Sequence, residues 1–282
     1  MLGKKACGIV FFVFLLSFNI HGAEDADSAS TDRAADLHKQ VEDPLSGLIL
    51  LPMLYNYASS VGPLDKPAHV MYIEPNFPID INENWKIITH TVIPFVSLPV
   101  IGTDETSSGL SNIVFSALVA KKSQRKFTLG IGSGLVFPTA SDTAPLSWTN
   151  TPTGYDCWAA GPAVVGVFKS GPWIAGALLN QMWSFGGDET TLNTMQIYGF
   201  VFYNLPKAYA IGYEPLINID WSKPADQSTL LPIGLQAGKL FMIGGVFPFG
   251  VSVGGYYNVI RPDFAPKSTF RAEFYTILPE FW

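Results

Sequence analysis

Charge and cysteine are both scarce. Only 14% of the 282 residues are Asp, Glu, Lys or Arg, and two are Cys. Cys7 lies in the N-terminal segment, which leaves Cys157 without an intramolecular disulfide partner. Four histidines occur, His21, His38, His69 and His90. No phosphate loop, zinc cluster or Gly-x-Ser-x-Gly elbow is present, so the sequence points to no cofactor, metal site or catalytic residue. A net charge of −6 excludes a nucleic-acid partner by charge. Beyond the N-terminus, no apolar run approaches the roughly 20 residues of a membrane helix. Yet the mean hydropathy of +0.24 is high for a soluble protein. Apolar surface is plentiful, but it is cut into short pieces.

What is abundant fits short strands. Aromatic residues make up 13%, with 26 Gly and 21 Pro, a composition that opposes helices. The ends of the chain read differently. Lys4 and Lys5 precede the apolar stretch Ala6 to Ile20 and then His21-Gly22-Ala23, the pattern of a secretory signal peptide over residues 1–23. Its removal takes two lysines and no acid. Residues 24–43 carry seven acids and two bases and read as an acidic, flexible periplasmic tail. Residues 44–282 form the remaining domain.

That domain is patterned for β-structure. Phe127 to Phe137 reads F-T-L-G-I-G-S-G-L-V-F, with large apolar residues at odd positions and glycines at even ones. Segments of this kind recur, joined by short connections near 82–84, 122–126, 170–172, 205–207 and 242–245. Longer ones fall near 59–68, 99–109, 138–156, 185–192, 222–228 and 260–267. Strict alternation of short and long connections marks an up-and-down antiparallel transmembrane β-barrel. The spacing gives about twelve strands, the first near 45–57 and the last near 268–282. Leu48 to Leu51 is apolar on both faces, so residues 45–57 have the alternative of an internal plug and a ten-strand barrel.

Aromatic spacing identifies the medium. Trp85 and Phe95, Phe127 and Phe137, and Trp173 and Trp183 each lie ten residues apart on one strand face, and Tyr209 and Trp221 lie twelve apart. Ten residues tilted about 45° rise roughly 23 Å, close to the apolar band of such barrels. These residues, with the terminal Trp282, read as membrane-interface aromatics. Trp85, Phe127, Trp173, Tyr209 and Trp282 belong to the periplasmic plane and the rest to the outer one. Arg at lipid-facing Leu129 or Ile217 should therefore cost more than at inward Gly132 or Asn218. The opposite parity lists the lumen candidates: Glu74, Lys86, His90, Asn112, Asn180, Glu214, Asn218, Asp220, Gln236, Arg271 and Glu273. Their mixed signs suit either a polar path that selects solutes or a salt-bridged interior that fills a narrow barrel.

Several stretches resemble the family named for a MetA pathway of phenol degradation: N-F-P-I-D-I-N-E-N-W-K-I-I-T-H-T-V-I-P (76–94), G-L-S-N-I (109–113), G-P-W-I-A-G-A-L-L-N-Q-M-W-S-F-G-G-D (171–188), L-P-I-G-L-Q-A-G-K (231–239) and Y-Y-N-V-I-R-P-D (256–263). Two departures are His90, where relatives carry Arg, and Ser111-Asn112 in place of Gly-Asp. The resemblance implies an outer-membrane barrel that imports small, aromatic or amphipathic compounds. The terminal aromatic resembles the signal read by the outer-membrane assembly machinery. The partners expected are therefore that machinery, the bilayer and lipopolysaccharide of a Gram-negative outer membrane, and a small-molecule solute.

Two other classes stay open, a lipid hydrolase and a structural or adhesive barrel with a closed lumen. A hydrolase needs an outward Ser–His pair. His90 has inward parity, and His38 and His69 read as lying outside the strands. The acidic pairs Asp104-Glu105 and Asp188-Glu189 read as solvated loop residues.

Overall fold

The computed structural model describes residues 24–62, 64–100, 103–122, 126–141, 157–187 and 192–279. Trp282, Asp188 and Glu189 therefore lie outside the described residues, and so do the side chains of residues 24–30.

The chain opens with a helix, α1 (Glu24–Val41), and continues into a closed barrel of twelve antiparallel strands. The strands are β1 (Ile49–Val61), β2 (Lys66–Ile73 continuing as Asn76–Asp80), β3 (Trp85–Pro99), β4 (Thr106–Leu110 continuing as Val114–Lys121), β5 (Phe127–Val136) and β6 (Cys157–Ser170). They continue as β7 (Trp173–Gly187), β8 (Asn193–Leu205), β9 (Tyr209–Tyr213 continuing as Leu216–Asp220), β10 (Thr229–Ile243), β11 (Phe247–Ile260) and β12 (Ser268–Leu278). Each strand pairs with its successor, and β12 closes the barrel on β1 from Ile49↔Leu278 to Ser59↔Ser268. Closure leaves no open edge, which a wall in lipid requires.

The register places the parity sets as the sequence implied. In β5, Phe127, Leu129 and Ile131 are exposed, whereas Thr128, Gly130 and Val136 are buried. The outer surface is a continuous apolar band that includes Ile131, Ile233, Leu235 and Val253. In water such a patch would drive aggregation; in hydrocarbon it is the matching surface. The inward glycines of β5 make room. A Cβ on Gly132 would stand 1.8 Å from the Ala117 carbonyl oxygen, so the expected tolerance of Arg at Gly132 is corrected: backbone already fills that space.

Two boundaries differ from the sequence expectation. The first strand begins four residues later than expected, and only residues 62–65 separate it from β2. Residues 45–48 belong to an inward-folded segment described below. The expected flexible tail is the helix α1. Ala34 and His38 are buried against Leu50, Leu240, Tyr275 and Ile277, all on the inner wall. The apolar positions 34, 37 and 41 recur at helical spacing, and burial of that narrow stripe orders a segment whose composition alone predicts solvation.

Candidate functional site

The site is the barrel interior, and it is layered. At the short-turn end, the segment from Lys39 to Leu48 crosses the mouth. Lys39 Nζ donates to Gly171 O at 2.5 Å, Asn204 Nδ2 to Glu42 Oε2 at 2.6 Å, and Lys169 pairs with Asp43 at 2.6 Å. Leu45 then enters a cluster with Ile88, Leu118, Val165, Val167 and Phe200 from the far wall. Buried Lys86 donates to Leu45 O at 2.5 Å, so this inward lysine ties down the segment and does not face open lumen. Gly47 has φ +90° and would put a Cβ 2.9 Å from the Lys86 ammonium, two reasons for glycine there. Together α1 and this crossing segment form a floor anchored to β3, β6 and β8.

Above the floor lies a chamber of about 220 Å³. Its lower wall is apolar, including Leu50, Ile88, Leu118, Leu178, Phe200 and Phe202. Its upper wall is a belt of polar side chains that crosses several strands. Glu74 Oε2 lies 3.2 Å from His90 Nε2 between β2 and β3. Arg271 of β12 reaches Glu214 of β9 at 3.4 Å and donates to Asn56 of β1 at 3.2 Å. Gln236 Nε2 donates to Glu214 at 3.1 Å and Tyr256 OH to Gln236 Oε1 at 2.7 Å. Ser252 Oγ donates to Glu273 Oε2 at 2.8 Å. Both Glu74 and Glu214 precede a proline, Pro75 and Pro215, and the strand assignment is interrupted at each pair. Proline supplies no N–H to the ladder, so each Glu-Pro step lacks one donor, while Glu74 N still donates to Pro52 O, and Pro75 O and Pro215 O accept from Thr91 N and Gly199 N.

The belt partitions the lumen. Beyond Arg271 and Tyr256 is a second cavity of about 50 Å³, lined by Tyr72, Leu230 and Asn258 among others. Over it, the start of the β5–β6 connection and the β11–β12 connection fold inward. Asn112 Oδ1 accepts from the N–H groups of Thr139 and Ala140, so Asn112, expected to line the lumen, instead pins the start of an outer connection in a fully buried site. Asn258 Nδ2 donates to Pro266 O.

The remaining predicted residues divide by place. Asn180 lines the chamber; Asn218 faces inward higher on β9, its Nδ2 without a partner among the described residues. Asp220 sits at the outer rim, where its Oδ1 accepts from Ser222 N at 3.0 Å. Trp85, Phe95, Phe127, Trp173, Trp183, Tyr209 and Trp221 are all exposed on the outer wall. Trp85, Phe127, Trp173 and Tyr209 begin strands that follow short turns, and Lys121 and Lys239 lie over the Trp85 and Tyr209 rings. Phe137 meets Trp158 edge to face at 5.4 Å.

Sequence parity missed Tyr198 and Tyr256, although both share the inward parity of Gln196 and Asn258. It also missed the floor, whose signal is the 34, 37, 41, 45 spacing that continues past the helix. His69 is corrected: it lies in β2 on the outer face, opposite Ser97 in register. Its Nδ1 is 2.6 Å from Tyr55 OH, while Ser97 Oγ accepts from Ser108 at 2.8 Å.

Buried groups make the floor sensitive to pH. Burial pushes the Glu42 carboxyl up from 4.5 to about 8; the Asn204 hydrogen bond and Lys39 oppose this, and Glu214 adds to it. Burial pushes His38 below 6.5. Between pH 4.5 and 8, docked Glu42 holds a proton that the released segment has lost, so docking weakens as pH rises. His38 acts oppositely, weakening docking as pH falls below 6.5. Above pH 6.5 the Glu42 effect outlasts that of His38. The open fraction in planar bilayers should rise from pH 6.5 to about 8, and Glu42→Gln should flatten the rise.

No protein-family model matches the chain, and no curated protein matches it. Among solved structures, it is similar to the COG4313 outer membrane channel from Pseudomonas putida F1, with 12% identity, a TM-score of 0.60, and coverage of 82% of this chain and 96% of that one. It is also similar to the NanC porin, with 10% identity, a TM-score of 0.50, and coverage of 82% and 100%. At these identities the likeness is one of fold. With the apolar outer band, it gives the chain the fold of an outer-membrane β-barrel.

Proposed function

We propose that this protein is an outer-membrane channel for passive uptake of small amphipathic molecules, gated at its periplasmic mouth by its own N-terminal segment. The observation that carries the proposal is the layered axis of the barrel: a floor, an amphipathic chamber, a polar belt and an inward-folded roof. A merely structural barrel has no use for a chamber of about 220 Å³ with one apolar and one polar wall. Small pockets of that kind bind solutes whose own surface is divided the same way. The similarity to channels supports a non-enzymatic role, and so does the engagement of His69 and Ser97 with other partners. The stretches that resemble the MetA-pathway family add aromatic compounds as candidate solutes. The N-terminal signal pattern accounts for export to the membrane.

The test is conductance in planar bilayers with purified full-length protein. Discrete steps interrupted by long closures are expected. A barrel that stays silent, with or without its N-terminal segment, and that releases fatty acid from phospholipid vesicles would overturn the proposal.

A further inference from the structure

The chamber is rich in carboxyl groups. Glu42, Glu74, Glu214 and Glu273 all line it. The permanent cations nearby are spoken for. Arg271 pairs with Glu214, Lys169 with Asp43, and Lys86 with the Leu45 carbonyl. His90 meets Glu74, and Glu273 has Ser252 as its donor.

An acidic wall is commonplace, but here a separate feature points to a ligand. Asn180, 5% exposed, lines the chamber from β7, and its Oδ1 has no hydrogen-bond partner among the described residues. Glu42 Oε1 on the floor is also buried without one, as is His38 Nε2. A buried acceptor without a partner is costly, so a donor entering the chamber has a ready partner there. The lower wall of Leu50, Ile88, Leu118, Leu178, Phe200 and Phe202 asks for the opposite chemistry, an apolar body. The chamber exceeds the roughly 150 Å³ of an apolar cavity that takes benzene.

We propose that the chamber binds a small organic cation, an apolar body of about one ring carrying a protonated amine. This rests on the channel function proposed above and names its solute class. An ammonium brings three N–H donors and no acceptor. Its charge offsets the carboxylates of the belt, and its apolar body covers the lower wall. An anion of the same shape meets the carboxylates of the belt with only acceptors to offer. A neutral alcohol satisfies one acceptor and no charge.

The experiment is calorimetric titration of full-length protein in detergent at pH 7 with three probes of one skeleton: phenethylamine, 2-phenylethanol and phenylacetate. The amine should bind at least about tenfold more tightly than the alcohol, and phenylacetate should give no measurable binding. Glu273→Gln should reduce the preference for amine over alcohol at least about fivefold, and Asn180→Ala should weaken the amine. Heat-modifiability on gels establishes that each variant is folded; Glu74→Gln replaces Glu273→Gln if that barrel does not fold. Phenylacetate binding as tightly as the amine overturns the proposal. So does failure of all three probes to bind the folded protein, or an amine preference unchanged in every folded variant. Conductance of the same preparation separates the two ideas. Steps without amine preference leave a channel with a different solute. Amine binding in a barrel that never conducts leaves the site and removes the channel.

Discussion

A variant lacking residues 24–43 should conduct where the full-length protein is mostly closed. Its time-averaged conductance should exceed that of the intact chain by about tenfold or more, because flow through a pore is set by its narrowest dry section. On the proposed gating, that section is the floor formed by the N-terminal segment. The deletion removes the apolar stripe of α1 from Leu50, Leu240, Tyr275 and Ile277. It also removes the ties from Lys39 to Gly171, Glu42 to Asn204 and Asp43 to Lys169. Leu45 and its bond to Lys86 remain, so the cluster formed with β3 and β6 stays filled. The wall is untouched, since β1 begins at Ile49 and closes on β12 without help from α1. The measurement is single-channel recording of both proteins in one lipid at one pH, with folding established by heat-modifiability. Equal conductance would place the resistance at the belt or roof and remove the gating role of the floor. The ties are polar and few, and each is worth about 1–3 kcal/mol at most where a charge takes part, which suits a segment that docks and releases.

The wall was legible in the sequence; much of what fills it was not. Strand parity depends on a two-residue period, and every strand repeats it against lipid, so Leu129 and Thr128 could be assigned to opposite faces from the sequence alone. The lumen assignment of Glu74, Asn180, Gln236 and Arg271 was made from the same period. Their pairings did not, because Arg271 reaches across two strands to Glu214 and no local rule spans that distance. The two Glu-Pro steps were a signal left unused: proline in a strand marks a gap in the ladder, and here both gaps carry a chamber carboxylate. The tail was misjudged for a different reason. Its acids predict solvation in bulk water, but its cost of ordering is met by an inner wall that composition does not reveal. Asn112 had inward parity, yet its position between two strand segments assigned it to the roof.

The two faces of the wall should differ sharply in their tolerance of charge. Leu129 is exposed on the outer face of β5, between the interface aromatic Phe127 and Ile131. Leu129→Arg should cost barrel stability, by an amount between the roughly 0–1 kcal/mol of the interface and the roughly 2–4 kcal/mol of the bilayer midplane, because a guanidinium there has no counter-charge. Ile217→Arg on the outward face of β9 should behave alike. Asn218→Arg is the contrasting case. Asn218 points inward, its Nδ2 lacks a partner among the described residues, and Asp220 lies two residues on along the same face. An arginine there has a carboxylate within reach and loses no satisfied hydrogen bond of Nδ2. Gly132 no longer serves as an inward control, since any side chain would collide with the Ala117 carbonyl. The measurement is folded yield and urea midpoint in lipid vesicles for Leu129→Arg, Ile217→Arg and Asn218→Arg. Stable outward variants beside an unfolded Asn218→Arg would reverse the assignment of faces and with it the chamber. The expected order also carries a functional readout. Asn218→Arg, folded, adds a cation above the belt, so it should lower cation preference in conductance; the outward variants that do fold should leave selectivity where it was.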